Sequence, residues 1–176
     1  MTLIRNNAGA EATGFAAKAY FGVASVTQTT ISTDQDAASF VGGIYFEYNS
    51  VHWQLEADVG GVRNISGRTI EIQEGLVSTH TVSTNASDKL VKIFSERSTD
   101  KTTWTKNALS GRQLTIAGTS ENYSSKSSEA FTVADNEIVR FRFFSDGVNV
   151  SLNPISFLAD GDTVTGPSFR WRLKEV

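Results

Sequence analysis

The side chains in this 176-residue sequence that are best suited to acid–base or metal chemistry are its two histidines, His52 and His80. A zinc site needs further protein ligands at suitable spacing, and none joins this pair. Serine is abundant, but no G-x-S-x-G elbow presents one as a nucleophile. The glycine-rich loops that bind phosphates and dinucleotides are also missing. We therefore predict no catalytic residue, no metal ligand and no cofactor, and we expect that the protein is not an enzyme.

The composition disfavours disulfide-bonded proteins, nucleic-acid binders and membrane proteins. Cysteine is absent, which removes disulfides and thiolate chemistry. The net charge of −3 and the pI near 5.4 disfavour a nucleic-acid binder, which would carry a basic excess. No apolar run approaches the roughly 18 residues of a membrane span, and the start MTLIRNNAGAEATG lacks the features of a secretory signal. These patterns predict a soluble protein without nucleic-acid or membrane partners.

The strongest structural pattern is the stretch EIVRFRFFSDGVNVSL, residues 137–152. Its apolar residues alternate, and Asp146-Gly147 is a pair typical of a tight hairpin turn. We predict a hairpin that pairs Phe143 with Val150 and Phe141 with Leu152, and that forms the core of the domain. Alternation in this stretch and in the closing strand also predicts the residues that face inward, which are Val139, Phe141, Phe143, Phe169, Trp171 and Leu173.

A second hairpin is predicted in SFVGGIYFEYNSVHWQLEADV, where Asn49-Ser50 would form the turn and pair Phe46 with Trp53. Short alternating segments separated by polar turn residues predict the other strands. They are Arg68–Gln73, Leu76–Val82, Lys89–Ser95, Thr102–Lys106, Arg112–Ile116, Ala130–Val133, Ile155–Leu158 and Ser168–Leu173. This spacing is typical of an all-β protein, an antiparallel β-sandwich or jelly roll.

The first 38 residues differ from the rest because they are rich in Ala, Thr, Ser and Asn, with scattered apolar residues. We interpret residues 1–38 as an extended N-terminal arm and residues 39–176 as a single β-sandwich domain. The arm would lie either against a partner or against the surface of its own domain.

Candidate interface residues come from four patterns: aromatic residues of the arm, the strand KLVKIF with apolar residues on both faces, aromatic residues expected to be partly exposed, and arginines at outward positions of their strands. The alternative explanation is burial inside the domain for the apolar and aromatic residues, and simple solvation for the arginines. The candidates are Phe15, Tyr20, Leu90, Val91, Ile93, Trp104, Tyr123, Arg140, Arg142, Phe144, Arg170 and Arg172.

The outward arginines would form a basic stripe together with Lys174 if the strand before Asp146 and the strand Ser168–Leu173 lie close together. Such a stripe could meet an acidic partner or a phosphate.

The Asn- and Ala-rich start, the Thr- and Ser-rich strands without cysteine, the turn in FFSDGVNVSL and the closing strand SFRWRLKEV together resemble small structural proteins of tailed-phage virions. These include head decoration proteins, head fibres and tail-fibre tips, many of them trimeric β-sandwiches or jelly rolls. The resemblance implies assembly in the host cytoplasm, other virion proteins as partners, and a homo-oligomer, with a trimer expected.

Two functions follow as hypotheses. The first is a virion structural protein, as a capsid accessory or decoration protein or a tail-associated one, that assembles non-covalently through its arm and β-domain surfaces. The alternative is a β-sandwich module that recognises a carbohydrate or a receptor on the host surface, through exposed aromatic residues on loops.

Overall fold

All regular secondary structure in the described part of the chain is β-strand. The computed structural model describes residues 3–6, 15–21, 26–30, 35–36, 43–83, 89–107, 112–116, 120–125, 130–145, 148–152, 156–159, 162–165 and 169–176, with side chains at 16–17, 46–73, 94–107, 130–142 and 171–176. No helix in these ranges is long and apolar enough to cross a bilayer.

The described residues form 18 strands, numbered here in chain order. They are β1 (Leu3–Asn6), β2 (Phe15–Phe21), β3 (Val26–Thr30), β4 (Gln35–Asp36), β5 (Gly43–Tyr48), β6 (Trp53–Glu56), β7 (Gly61–Asn64), β8 (Ile70–Ser83), β9 (Lys89–Ser98), β10 (Thr105–Lys106), β11 (Arg112–Ile116), β12 (Ser120–Ser125), β13 (Ala130–Val133), β14 (Ile138–Ser145), β15 (Val148–Leu152), β16 (Ser156–Ala159), β17 (Asp162–Thr165) and β18 (Phe169–Glu175).

Two sheets contain most of these strands. The large sheet has the order β1-β5-β2-β18-β8-β15-β3, and β12 and β13 also pair with β8. The small sheet has the order β10-β9-β14-β7-β6, with β11 on β9 and β4 on β14. Neighbours pair antiparallel except β1 with β5, and β16 and β17 form a separate ribbon.

The core lies between the two sheets. Phe141 of the small sheet meets Trp171 of the large sheet with ring centroids 5.4 Å apart. Val139, Ile72 and Leu173 are also fully buried. Burying a large apolar side chain contributes about 1.5–3 kcal/mol, so this layer is a main source of stability. The predicted all-β, two-layered antiparallel fold is confirmed, as are the inward positions of Val139, Phe141, Trp171 and Leu173.

The predicted hairpin around Asp146-Gly147 is wrong. β14 pairs with β9, β7 and β4 in the small sheet, whereas β15 pairs with β3 and β8 in the large sheet. The chain therefore passes from one layer to the other between these strands. Alternation places Phe141 in the core in either arrangement, so the hydrophobic pattern could not distinguish a hairpin from a crossover. Asp146 and Gly147 themselves lie outside the described residues.

The second predicted hairpin is wrong for the same reason. β5 pairs with β1 and β2, whereas β6 pairs with β7. A turn does follow Asn49, whose carbonyl accepts hydrogen bonds from the backbone N–H groups of His52 and Trp53. This turn carries the chain between sheets, and Phe46 and Trp53 are both buried on its two sides.

Four described stretches of residues 1–38 are strands of the two sheets. β2 lies between β5 and β18, with Ala16 and Ala17 fully buried, and β4 pairs with β14. β1 and β3 lie at the two ends of the large sheet. The described stretches of residues 1–38 therefore pair with strands of their own chain, which is the second of the two surroundings expected for the arm. A role for residues 1–38 in attachment to a partner stays a prediction.

Candidate functional site

The outer face of the small sheet carries a cluster of charged and aromatic side chains. The register places Glu96 of β9 opposite Arg140 of β14 on one side and opposite Lys106 of β10 on the other. Directly opposite residues of an antiparallel pair point to the same face. Because Phe141, the next residue, points into the core, Glu96 and Arg140 point away from it.

Glu96 and Arg140 form a buried ion pair. Their exposed fractions are 1% and 3%. The Nε and Nη2 of Arg140 donate to Oε1 of Glu96 at 2.7 and 2.6 Å, and Nη1 of Arg142 lies 3.4 Å from the same oxygen. Such short, charge-assisted contacts offset the cost of removing both charges from water.

Trp104 covers this ion pair. The guanidinium carbon of Arg140 lies 3.4 Å from the centroid of the indole ring, which is a close cation–π stack. The indole Nε1 donates to the carbonyl of Lys101 at 3.1 Å. The Trp104 side chain is half-buried. One ring face and the N–H group are therefore both held in place, which leaves the ring little freedom to turn.

Residues 98–104, which we call the capping loop, bring Trp104 over the sheet. Oδ1 of Asp100 accepts hydrogen bonds from the backbone N–H groups of Thr102 and Thr103, each at 2.8 Å, and from the hydroxyl of Ser98 at 2.9 Å. Lys101 follows with a positive φ of 63°. The carboxylate of Asp100 thus satisfies the polar groups of a tight turn.

The hydrogen bonds from Thr103 and Thr102 hold the pKa of Asp100 well below its usual range, because they stabilise the ionised carboxylate. Asp100 is therefore charged at neutral pH and remains so in mild acid.

Lys101 links the capping loop by ion pairs to Glu56 and Asp58, at the end of the small sheet that β6 forms. Its ammonium group lies 2.6 Å from Oε2 of Glu56 and 2.7 Å from Oδ2 of Asp58. The hydrogen bond to Asp58, followed by that to Glu56, raises the pKa of Lys101. Arg63 also donates to Glu56, at 2.5 Å.

The contacts with Lys101 also lower the pKa values of Glu56 and Asp58. The hydrogen bond from Lys101 lowers the pKa of Asp58. Burial alone would raise the pKa of Glu56, but the hydrogen bonds from Lys101 and Arg63 outweigh burial and lower it. Both carboxylates are therefore ionised and paired with Lys101, an arrangement that holds the loop in place, whereas a group that transfers protons needs a pKa near the working pH.

A second cluster joins β18, in the middle of the large sheet, to β6 at one edge of the small sheet, and we call it the clasp. The carboxylate of Glu175 in β18 accepts the indole N–H of Trp53 in β6 at 2.8 Å, and its Oε2 lies 2.9 Å from Nδ1 of His52. Trp53 is fully buried, while His52 and Glu175 are half-buried. His52 lies in the turn before β6, where its side chain contacts the opposite sheet. No group of side chains in the described ranges could hold a metal ion.

The structure brings together three of the predicted interface residues: Trp104, Arg140 and Arg142. Trp104 is half-buried and Arg172 is exposed, as the alternation predicted. The predicted exposure of Arg140 is wrong. The residue points outward as expected, but the capping loop and Trp104 cover a position that alternation alone would leave in solvent.

The basic stripe does not form. Arg140 and Arg142 belong to β14 of the small sheet, whereas Arg170 and Arg172 belong to β18 of the large sheet.

The other predicted interface residues lie in described strands, but their side chains are outside the described part of the structure. Leu90, Val91 and Ile93 lie in β9, Tyr123 in β12, Phe144 in β14, and Phe15 and Tyr20 in β2. Contact of these residues with a partner stays a prediction.

Sequence reasoning missed Glu96, Asp100 and Glu175. Glu96 could have been found by noting that it shares the outward parity of Phe94 on β9, since a charge beside a large apolar residue indicates a covered face. The contact of Glu175 with His52 and Trp53 had no local signal, because these residues are far apart in the chain.

Comparison with known proteins yields no family. No family model matches the sequence, and no curated protein matches it. Among solved structures, Eiger TNF from S. frugiperda is similar over 93% of this chain and 93% of its own, at 11% sequence identity and a TM-score of 0.47. A likeness this distant gives no information about function.

Proposed function

We propose that this protein is a structural protein of a phage virion, a capsid accessory or decoration protein in the first place and a tail-associated one in the second. It works without catalysis or a cofactor, through non-covalent contacts with copies of itself and with other virion proteins. It is made in the host cytoplasm and assembles into a homo-oligomer, for which a trimer is expected.

The observation that supports assembly most directly is the position of the N-terminal strands. β1 and β3 are the end strands of the large sheet in the described part of the chain. An end strand has one row of backbone N–H and C=O groups that its own sheet does not use, and a second chain can pair with that row. The same polar segment that resembles the arms of virion proteins thus supplies two of the four strands that have a single neighbour in the described part of this sheet, the other two being β12 and β13.

The short, parallel pairing of β1 suits this strand to exchange between copies of the chain. It is only four residues long and its pairing with β5 is parallel, which is slightly less stable per residue than antiparallel pairing. Such a strand separates from its own sheet more readily than β2, which has neighbours on both sides.

The test is the mass of the protein in solution. Light scattering over a range of concentrations would compare the full chain with a variant that lacks residues 1–8. This deletion removes β1 and keeps β2, whereas deletion of residues 1–38 would also remove the interior strand β2 and its buried Ala16 and Ala17. We expect the full chain to reach about three times its 19.1 kDa mass and the variant to stay folded at lower mass.

The matched control is Gln54→Lys, which adds a charge at an exposed position of β6, an end strand of the small sheet. It should leave the mass of the oligomer unchanged. A full chain that stays monomeric at all concentrations would contradict assembly, and a shortened chain that associates equally well would contradict the role of β1.

A further inference from the structure

We propose that the outer face of Trp104 is a stacking site for a sugar ring of a glycan. This binding activity goes beyond the assembly role above and does not depend on it.

Arg140 covers one face of the Trp104 indole, and the other face points away from the sheet. Arg140 rises from the sheet beneath Trp104 and lies against the inner ring face at 3.4 Å, and Arg140 itself is only 3% exposed. The exposed part of the half-buried ring therefore lies on the side away from the sheet. Because Lys101 and Arg140 already fix the ring, a ligand that stacks on it loses little affinity to ordering of the protein.

The ion pair beneath the Trp104 ring affects the electron density of the outer ring face. Apolar C–H groups of a sugar pack on an electron-rich aromatic face, and an uncompensated cation on the opposite side would draw electron density away from it. Glu96 lies 2.6 Å from the Arg140 guanidinium and compensates its charge. The outer face of Trp104 thus keeps its affinity for C–H groups.

The charged groups linked to the capping loop suit a polyhydroxylated ligand. The side chain of Asp58 is 61% exposed, and that of Lys101, whose ammonium group it contacts, is 31% exposed. Sugar hydroxyls donate to carboxylates and accept from ammonium groups, and the Lys101–Asp58 pair, joined to Trp104 through the Lys101 carbonyl, offers both.

A protein partner fits this surface less well. The centre of a protein interface is apolar and poor in charged residues. The large apolar side chains that the structure describes as exposed are Val51, Ile65 and Val176, and all three adjoin the clasp: Val51 and Val176 are next in sequence to His52 and Glu175, and the Ile65 N–H donates to the His52 carbonyl. None lies in the capping loop.

The test uses the fluorescence of the full chain. Of its three tryptophans, Trp53 and Trp171 have exposed fractions of 0% and 1%, so acrylamide will quench Trp104 selectively. The probes are cellohexaose, maltohexaose, N-acetylchitohexaose and 3′-sialyllactose at millimolar concentrations. We expect at least one to reduce the acrylamide quenching of Trp104 at least twofold and to saturate.

Variants assign the effect to the ring. Trp104→Ala should abolish binding of that sugar in saturation-transfer NMR, Trp104→Phe should weaken it while retaining a stack, and Thr99→Ala, an exposed residue of the same loop, should bind like the unaltered chain. Near-ultraviolet circular dichroism would verify that each variant is folded.

Three outcomes would overturn the proposal: protection by none of the four sugars, unchanged binding in Trp104→Ala, or protection that follows protein concentration instead of added sugar. The last result would identify Trp104 as a contact between copies. Loss of sugar binding with an intact oligomer, or the reverse, would separate this proposal from the assembly role.

Discussion

Glu96 and Arg140 are unusual at the scale of single residues, because both are charged and nearly inaccessible on a face that points away from the core. Their mutual contact at 2.6 Å and the Trp104 ring make this burial tolerable. A buried charge that loses its partner is strongly destabilising, whereas an apolar pair of similar volume in the same place often is not.

We therefore expect Glu96→Ala to lower the free energy of unfolding by about 3–5 kcal/mol, because it removes the carboxylate that neutralises the buried guanidinium of Arg140. The double variant Glu96→Leu with Arg140→Met should lose clearly less than the sum of the single changes Glu96→Leu and Arg140→Met. Urea denaturation of the four proteins measures this coupling. Additive losses would show that the two side chains act independently and would contradict the buried pair.

The sequence placed Arg140 on the correct face of β14 but could not predict its burial. Alternation determines on which side of a strand a residue lies, and the inward positions of Val139 and Phe141 were predicted from it. Whether the outward side is covered depends on the capping loop, which the sequence presents only as the polar turn STDKTT.

At the scale of elements, the capping loop depends on one carboxylate. Asp100 accepts two backbone hydrogen bonds, from Thr102 and Thr103, and these lower its pKa. An Asp in an unfolded chain titrates near pH 3.9, so in weak acid the unfolded chain binds protons that the folded chain does not. By linkage, the stability from this loop is fully present above about pH 4 and is lost as the pH falls below it.

We expect Asp100→Asn to flatten the fall of stability below about pH 4, since an amide keeps the acceptor oxygen but has no proton to take up in this range. Urea denaturation at several pH values, followed by tryptophan emission, measures the slope. Thr99→Ala should keep the slope of the unaltered chain. An equally steep slope in Asp100→Asn would mean that other carboxylates, such as Glu56 and Asp58, cause the acid sensitivity.

The strands were predicted better than their partners. The bounds of β11, Arg112–Ile116, and β13, Ala130–Val133, agree with the prediction, because short alternating segments between polar turns carry a local signal. β12 was missed because SENYSS contains one apolar side chain; its pairing with β8 makes it a strand. Both hairpins failed because a turn motif shows where the chain reverses, and the sheet that receives the next strand depends on distant residues.

At the scale of the whole molecule, the clasp joins the middle of the large sheet to the end strand β6 of the small sheet. Glu175 of the large sheet accepts the indole N–H of Trp53 in the small sheet. We expect Glu175→Ala to lower the free energy of unfolding by about 1–3 kcal/mol, because Trp53 is fully buried and would lose its acceptor. Chemical denaturation measures the change.

Two further variants decide whether the hydrogen bond is responsible. Glu175→Gln retains an acceptor oxygen and should recover part of the loss, whereas Lys174→Ala, the preceding residue on β18, should cost less than Glu175→Ala. If Glu175→Ala and Lys174→Ala cost the same, truncation of β18 and not the clasp would explain the effect.

The position of β18 also limits when the molecule can fold. β18 lies between β2 and β8 in the large sheet, and it pairs Trp171 with Ala19 on one side and with Val77 on the other. The middle of the large sheet is therefore incomplete until residue 175 has left the ribosome, however early β2 and β8 emerge. During synthesis, the edges of β2 and β8 that β18 will occupy stay unpaired until then, which is the stage at which this sheet is most exposed to pairing with another strand.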